Sequence, residues 1–203
     1  IVSGSSPHFL NITASGAIAN NSTVVATRLT GSFTGSFTGD GTNLTNVGKY
    51  EAGSGAGSIK PIANSNTSTG ACATVGGGES NKACGEYSVI GGGCNNCVIG
   101  TKSSILGGGN NCISGSCSNI LGGEGNKICG ATNSFILGGG SNHICGIGAD
   151  TQLSMIFGGT NNRIHSGSCR SILMGGNYNE LGSNSSNSLV GAGAGNTISL
   201  NSP

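Results

Sequence analysis

The sequence is poor in the side chains on which most protein classes depend. Only 7% of its 203 residues are charged, it has no Trp and three Pro, and its formal net charge is +1. Ordinary domains contain about a quarter charged residues. The eight Lys and Arg are too few to neutralise a phosphate backbone, so we expect no nucleic-acid partner. No stretch reaches about eighteen consecutive apolar residues, so we expect no membrane insertion.

The composition also argues against disorder and against collagen. Disordered chains combine low hydrophobicity with high net charge, whereas 34% of these residues are hydrophobic. Collagen has Gly at every third position and much Pro, and the 41 glycines here follow no such period. The sequence begins at Ile1 with no basic segment followed by an apolar one, so we expect a processed or excerpted piece of a longer chain.

The chain does contain an internal repeat with the consensus S-x-I-L-G-G-x-x-N-x-I-x-G. Each of eight copies has an apolar anchor before a glycine pair (Gly-Ala-Gly in the last), an Asn five or six residues later, and an aliphatic residue two after the Asn. The anchors are Val75, Ile90, Leu106, Leu121, Leu137, Phe157, Met174 and Val190. The asparagines are Asn81, Asn96, Asn111, Asn126, Asn142, Asn162, Asn179 and Asn196.

The length of the repeat predicts an all-β fold. Helical pairs and propeller blades need roughly 30 to 50 residues, whereas the copies here recur mostly every 15 to 17. Such a unit fits one coil of a parallel β-solenoid or β-roll, with about eight coils over residues 71–203. Glycines would turn the corners with positive φ, coils would stack at roughly 4.8 Å, and the asparagines would form a ladder of side-chain amides.

The anchor and the residue before it are usually both apolar, which predicts an exposed apolar stripe. Successive strand residues point to opposite faces, so one of the two columns fills the coil and the other points outwards. Soluble monomers avoid such stripes, so we expect the anchor column to form an oligomer interface in an intertwined or side-by-side homotrimer. The alternative is that one column lies half-buried at a corner.

The remaining segments differ from the repeats. Residues 1–47 alternate Ser, Thr, Gly and Asn with isolated aliphatics, which predicts an extended, β-rich fibrous shaft or attachment segment. Residues 48–70 are rich in Gly and Ser and are interpreted as a linker. The insertion near residues 146–153 is expected to form an outward loop.

Two stretches carry a resemblance to known families. "ITASGAIANNSTVVATRLTGSFTGSFTGDGTNLTNV" resembles the shafts of tail fibres and other virion structural proteins of tailed phages. The "GGGxxNxISGxxSxILGG" repeats are similar to fibre and adhesin heads, including the left-handed parallel β-roll heads of trimeric autotransporter adhesins. The chain departs from the adhesin heads in its period, its cysteine content and its lack of a coiled-coil stalk, so the resemblance to phage fibres is preferred.

The nine cysteines are the least expected feature. Cys97 and Cys112 occupy one column of the repeat in adjacent coils, and Cys129 and Cys145 share another, so coil-to-coil disulfides are compatible with the spacing. Free thiols acting as small hydrophobes are an equal alternative. Zinc is disfavoured because Cys94-x-x-Cys97 has no second pair, and we expect no cofactor.

These observations favour a structural protein over an enzyme. We expect a virion fibre module, at the virion surface or otherwise extracellular, whose partners are itself, other fibre proteins and a host-surface glycan or protein. Ile147, Asp150 and Gln152 in the inserted loop are the candidate receptor contacts. The alternative is a bacterial surface adhesin or a self-assembling extracellular filament. An ice-binding solenoid is disfavoured because Thr is not in register, and no paired carboxylates of a glycosidase are identifiable.

Overall fold

A computed structural model describes residues 50–62, 65–146 and 152–199. Over these residues the chain is all-β, and it winds into a parallel β-solenoid of about eight turns. Each turn contributes one short strand to each of two sheets. The described residues include no helix that is long and apolar enough to cross a membrane.

The strands alternate between the two sheets along the chain. The first sheet contains β1 (Tyr50–Ala52), β2 (Ile59–Pro61), β4 (Thr74–Val75), β6 (Val89–Ile90), β8 (Ser104–Ile105), β10 (Asn119–Ile120), β12 (Phe135–Ile136), β14 (Met155–Ile156), β16 (Ile172–Leu173) and β18 (Leu189–Val190). The second contains β3 (Thr67–Ser68), β5 (Lys82–Ala83), β7 (Cys97–Val98), β9 (Cys112–Ile113), β11 (Lys127–Cys129), β13 (His143–Cys145), β15 (Arg163–Ile164), β17 (Glu180–Leu181) and β19 (Thr197–Ile198).

Neighbouring strands within each sheet are parallel and in register, apart from the antiparallel pair β1 and β2. Each strand is only two or three residues long because the chain must turn twice in every coil. The turns use positive φ at three places: three residues before the buried Asn, directly before that Asn, and directly before the buried Ser of the next coil. In the coil that begins at Ser103, these residues are Gly108 (φ 85°), Asn110 (φ 56°) and Cys117 (φ 55°).

The core is a thin layer between the two sheets. From β4 to β18, one aliphatic side chain of each strand points inwards, and most of these side chains are completely buried. The first sheet contributes Val75, Ile90, Ile105, Ile120, Ile136, Ile156, Leu173 and Val190, and the second contributes Ala83, Val98, Ile113, Ile128, Ile144, Ile164 and Leu181.

The asparagine ladder predicted from the repeat runs along the edge of this core. The Asn96 amide NH₂ donates to the Gly92 carbonyl of its own coil at 3.0 Å and to the Gly108 carbonyl of the next at 2.9 Å. The Asn96 Oδ1 accepts the backbone N–H of Asn111 at 3.1 Å. The same bonding recurs from coil to coil, so each buried amide is satisfied and joins two coils.

A serine ladder occupies the opposite edge of the core and was not predicted. Ser118 Oγ accepts the backbone N–H of Ser134 at 3.1 Å, and its hydroxyl lies 3.1 Å from the Ala131 carbonyl. The column stands eight residues before each Asn and comprises Ala73, Ser88, Ser103, Ser118, Ser134, Ser154, Ser171 and Ser188. The repeat consensus already begins with this Ser, at a regular offset from the Asn. Its role as a ladder was missed because Ser is common throughout the chain and did not stand out as structural.

The solenoid begins earlier than the sequence predicted. Strands β2 and β3 lie inside the segment interpreted as a linker, and they pair with β4 and β5. Asn66 accepts the backbone N–H of Asn81 at 2.9 Å through its side chain, so it is the first member of the asparagine ladder. The linker interpretation fails here because these coils keep the polar ladder while lacking the apolar anchor. The predicted shaft, residues 1–47, lies outside the described residues.

The glycine three residues before each repeat Asn provides a stringent test of the coil geometry. Gly108 has φ +85°, and a Cβ added to it would overlap the carbonyl oxygen of Gly123 in the next coil. We expect Gly108→Ala to lower the free energy of unfolding by about 2–6 kcal/mol, through backbone strain and the forced separation of two coils. Urea denaturation followed by circular dichroism measures this.

Gly107→Ala is the matched control. A Cβ at Gly107 would have no heavy atom within 4 Å, so its stability should stay within about 1 kcal/mol of the wild type. Equal effects at the two positions would contradict the register described here.

The serine ladder contains its own matched pair. Ser118→Ala removes a buried hydroxyl that satisfies groups in the next coil, and we expect it to cost about 1–3 kcal/mol of stability. Ser88 Oγ is buried but has no hydrogen-bond partner among the described residues, and Ala73 fills the same position one coil earlier. Ser88→Ala should therefore be neutral or stabilising in the same denaturation experiment; a larger loss at Ser88 than at Ser118 would overturn this account.

Candidate functional site: the outer faces of the solenoid

An apolar ridge runs along the outer side of the first sheet. It consists of five large side chains, one from each of five consecutive coils, which are 39–58% exposed. Backbone hydrogen bonds join consecutive coils beside the ridge, as between the Leu106 N–H and the Ile120 carbonyl at 3.1 Å. The apolar ridge comprises Leu106, Leu121, Leu137, Phe157 and Met174.

The predicted interface column was wrong in three of its eight members. Strand pairing places Ile90 beside Ile105, not beside Leu106, and Val75 and Val190 are likewise buried in the core. The anchor was defined as the residue directly before the glycines. In these three coils the glycines begin five residues before the Asn, whereas in the other five coils they begin four residues before it. The anchors that precede their Asn by six residues are buried, and those that precede it by five form the ridge. That difference was present in the sequence.

A second outward column broadens the apolar surface toward the C-terminal end. It lies on the other side of the buried column and contains Phe135, Met155 and Ile172, all partly buried, and Leu189, which is 60% exposed. The ridge and this column together make the apolar face. Continuous apolar surface of this kind usually marks an interaction site.

The outer side of the second sheet carries thiols and charges instead. One column, which we call the charged column, runs in register through Lys82, Cys97, Cys112, Lys127, His143, Arg163 and Glu180. Beside it, two residues further along each strand, lie Cys84, Cys129 and Cys145. Five of the nine cysteines therefore lie on this one face.

Cys97 and Cys112 are in register on neighbouring strands. A hydrogen bond from Cys97, together with the positive charge of Lys127, lowers the pKa of Cys112 to about 6, although partial burial opposes this. The same hydrogen bond, burial and the charge on Cys112 raise the pKa of Cys97. The two thiols therefore titrate as a coupled pair, in which the pKa of Cys112 is lowered and that of Cys97 is raised.

Cys129 and Cys145 are also in register, but their electrostatics differ. Burial and the neighbouring Cys145 raise the pKa of Cys129. All nine cysteines are thiols in the structure. The geometry brings together both pairs that the sequence singled out, and their oxidation to disulfides stays a prediction.

Further along the charged column, a polar cleft of about 310 Å³ lies between two coils. Its lining residues are Asn161, Arg163, Tyr178, Asn179 and Glu180. Glu180 also pairs with His165, whose Nε2 lies 2.7 Å from the carboxylate Oε1. The cleft therefore presents one guanidinium, one carboxylate, a phenol and amides, all of which can make polar contacts.

Two of the candidate receptor contacts, Ile147 and Asp150, lie outside the described residues. Gln152 is described, and it is part of the solenoid instead of the inserted loop. It forms a bridge with Thr132, and its carbonyl accepts the backbone N–H of Arg170 at 2.8 Å. Gln152 is partly buried at this corner, so its position favours a structural role.

Within the described ranges, no three His, Cys, Asp or Glu side chains are grouped so that they could hold a metal ion. Comparison of the chain with models of known protein families and with curated protein sequences finds no match.

Proposed function

We propose that the chain is a structural module of an extracellular fibre, most simply a virion fibre such as a phage tail fibre, that assembles through its apolar face. The observation that carries the proposal is the apolar ridge, because five large apolar side chains in successive coils need a partner in water. The resemblance of residues 10–47 to fibre shafts supports the same function.

A second copy of this chain is the occupant that best fits the ridge. The ridge side chains repeat at one strand spacing, roughly 4.8 Å, and a partner must present groups at the same interval to fill the gaps between them. A second copy of the chain presents its own ridge side chains at this same spacing. Three copies about a common long axis would bury all three ridges and give the thin cores a shared apolar centre, as a homotrimer.

In this proposal the chain is not an enzyme, and it acts by attachment. The side chains outside the apolar face are mainly Ser, Thr, Asn and single charges, which make weak contacts individually. Repetition over coils and over three chains would convert weak contacts with a host-surface glycan or protein into avidity. A bacterial adhesin or an extracellular filament of the same architecture is the second candidate, and it uses the same face.

The mass of the chain in solution tests the assembly. Light scattering should give about three times the chain mass of 19.6 kDa, roughly 59 kDa for the cyclic trimer. The triple variant Leu121→Ser/Leu137→Ser/Phe157→Ser should dissociate to monomers while keeping its circular dichroism spectrum, because these side chains contribute little to the coil interior.

The matched control is Ile99→Ser, which removes an equally exposed apolar side chain (55%) from the second sheet. It should leave the mass unchanged. A wild-type chain that remains monomeric at concentrations of tens of micromolar, or a ridge variant that stays trimeric, would contradict the proposed interface.

Electron microscopy of the virions or cells that carry the chain tests its location separately. Gold-labelled antibody should mark thin fibres that project from a virion, and the purified chain should bind intact host cells without degrading their polysaccharide. Label on a bacterial envelope would favour the adhesin. Release of oligosaccharides from purified host capsule would contradict the non-enzymatic proposal.

A further inference from the structure

Two thiols of the charged column lie where they can react with each other. Cys97 and Cys112 belong to adjacent parallel strands and are Cα partners, so their Cα atoms are separated by roughly 4.8 Å. This lies within the range of about 4.4–6.8 Å that a disulfide requires. Both side chains are on the outer side of the sheet and only partly buried, so a small reagent can reach them.

The groups around the pair are cations and other thiols. Lys82 precedes Cys97 in the column, and Lys127 follows Cys112. Cys84 acts on Cys97 from the adjacent column, in which Cys129 also lies, while His143 and Arg163 lie one and two coils beyond Lys127. No carboxylate is among the charged groups that act on either thiol. Flanking cations favour a thiolate, which is the nucleophilic form of cysteine.

We propose that Cys97 and Cys112 are a reactive dithiol and the preferred site of thiol–disulfide exchange in this chain, with Cys112 as the attacking thiolate and Cys97 as the resolving thiol. The co-reactant is a low-molecular-weight disulfide, RSSR. The Cys112 thiolate attacks one sulfur of RSSR, forms a mixed disulfide and releases RS⁻.

The second step closes the coil-to-coil bond. Cys97 loses its proton to the released RS⁻, and its thiolate attacks the Cys112 sulfur, which breaks the mixed disulfide and releases a second RS⁻. Overall, two cysteines are oxidised to one disulfide, and RSSR is reduced to RSH and RS⁻. With its hydrogen-bond donor beside it, the Cys112 thiolate is present at neutral pH, where an ordinary cysteine is only a few per cent thiolate.

The chain contains a matched pair that lacks this activation. Cys129 and Cys145 share the same register spacing and the same face. In their own column, however, Ser114 and His165 replace the two lysines. Burial and the neighbouring thiols raise the pKa of Cys129 by more than Lys127 lowers it. A disulfide can therefore span either pair, but we expect Cys97 and Cys112 to react much faster than Cys129 and Cys145.

The wild-type chain decides the first step without any variant. Alkylation by iodoacetamide, mapped by mass spectrometry, gives a pH–rate profile for each cysteine. The midpoint for Cys112 should lie at least about two pH units below that of a short cysteine peptide, which titrates near about 8.5. A Cys112 midpoint that coincides with the peptide would overturn the proposal.

Variants of Cys97 and Lys127 test what causes the low alkylation midpoint of Cys112. Cys97→Ala removes the hydrogen-bond donor and should raise the Cys112 midpoint, whereas Cys97→Ser keeps a donor and should retain most of the shift. Lys127→Met should also raise it, and Lys127→Arg should restore it. A purely structural role for these residues would leave the midpoint unchanged while altering the unfolding midpoint in urea.

Glutathione disulfide tests the second step. At pH 7 the wild-type chain should lose two hydrogen atoms in mass, and tryptic cleavage after Lys102 should leave the peptides containing Cys97 and Cys112 linked. Cys97→Ser should stop at a glutathione adduct on Cys112, and Cys129→Ser should behave like the wild type. A first disulfide at Cys129 and Cys145, or adducts confined to the exposed cysteines, would refute the proposal. Neither outcome bears on the fibre function, because the apolar face is on the other sheet.

Discussion

The structure depends on one constraint: each coil must be a translation of its neighbour by one strand spacing, and the polar groups that this buries must find hydrogen-bond partners, as the ladder asparagines do. Parallel strands of two residues cannot supply a stable sheet by themselves. The buried asparagines compensate, because each amide bonds to glycine carbonyls in two coils and each Oδ1 caps a backbone N–H in the next. An alternative side chain at Asn96 would break bonds in three places, which explains why this residue type recurs in every coil.

The same translation explains why the core is thin and the surface is partly apolar. A coil with one inward aliphatic residue on each strand, such as Ile105 and Ile113, buries little apolar area per residue. The polar ladders on either side of these columns make the stack regular but add modest net stability, since hydrogen bonds replace bonds to water. An outward ridge that becomes buried on association adds apolar contact without widening the coil. The apolar face and the narrow core therefore have the same cause, which is the short strand of each coil.

Much of this could be predicted from the sequence, since a period fixes which residues share a column. The parallel solenoid followed from the repeat and is confirmed. The asparagines predicted to form a ladder lie in one column, but their amides bond mainly to backbone groups of neighbouring coils rather than to one another. The anchor column failed because a glycine-based alignment cannot distinguish Ile90, which points inwards, from Leu106, which points outwards; alignment on the Asn separates them. The earliest coils were missed because Asn66 has no apolar anchor five or six residues before it and has Ser68 where the repeats have an aliphatic residue. Electrostatic differences between cysteine pairs depend on cross-coil neighbours such as Lys127, which become apparent only when the register is known.

The two sheets carry different side chains on their outer faces because of the way in which a solenoid forms its surfaces. Residues about 15 apart in sequence become neighbours on one face, so a short change in the repeat, such as Cys for Lys in two successive coils, creates a two-residue site without altering the fold. The two outer faces are separated by the core, so the proposed association of the first sheet and the proposed thiol exchange on the second would not interfere with each other. An assembly held through Leu121 and its column would leave Cys112 facing solvent. Assembly and thiol exchange can then vary independently, because each is determined by side chains that do not contribute to the ladders.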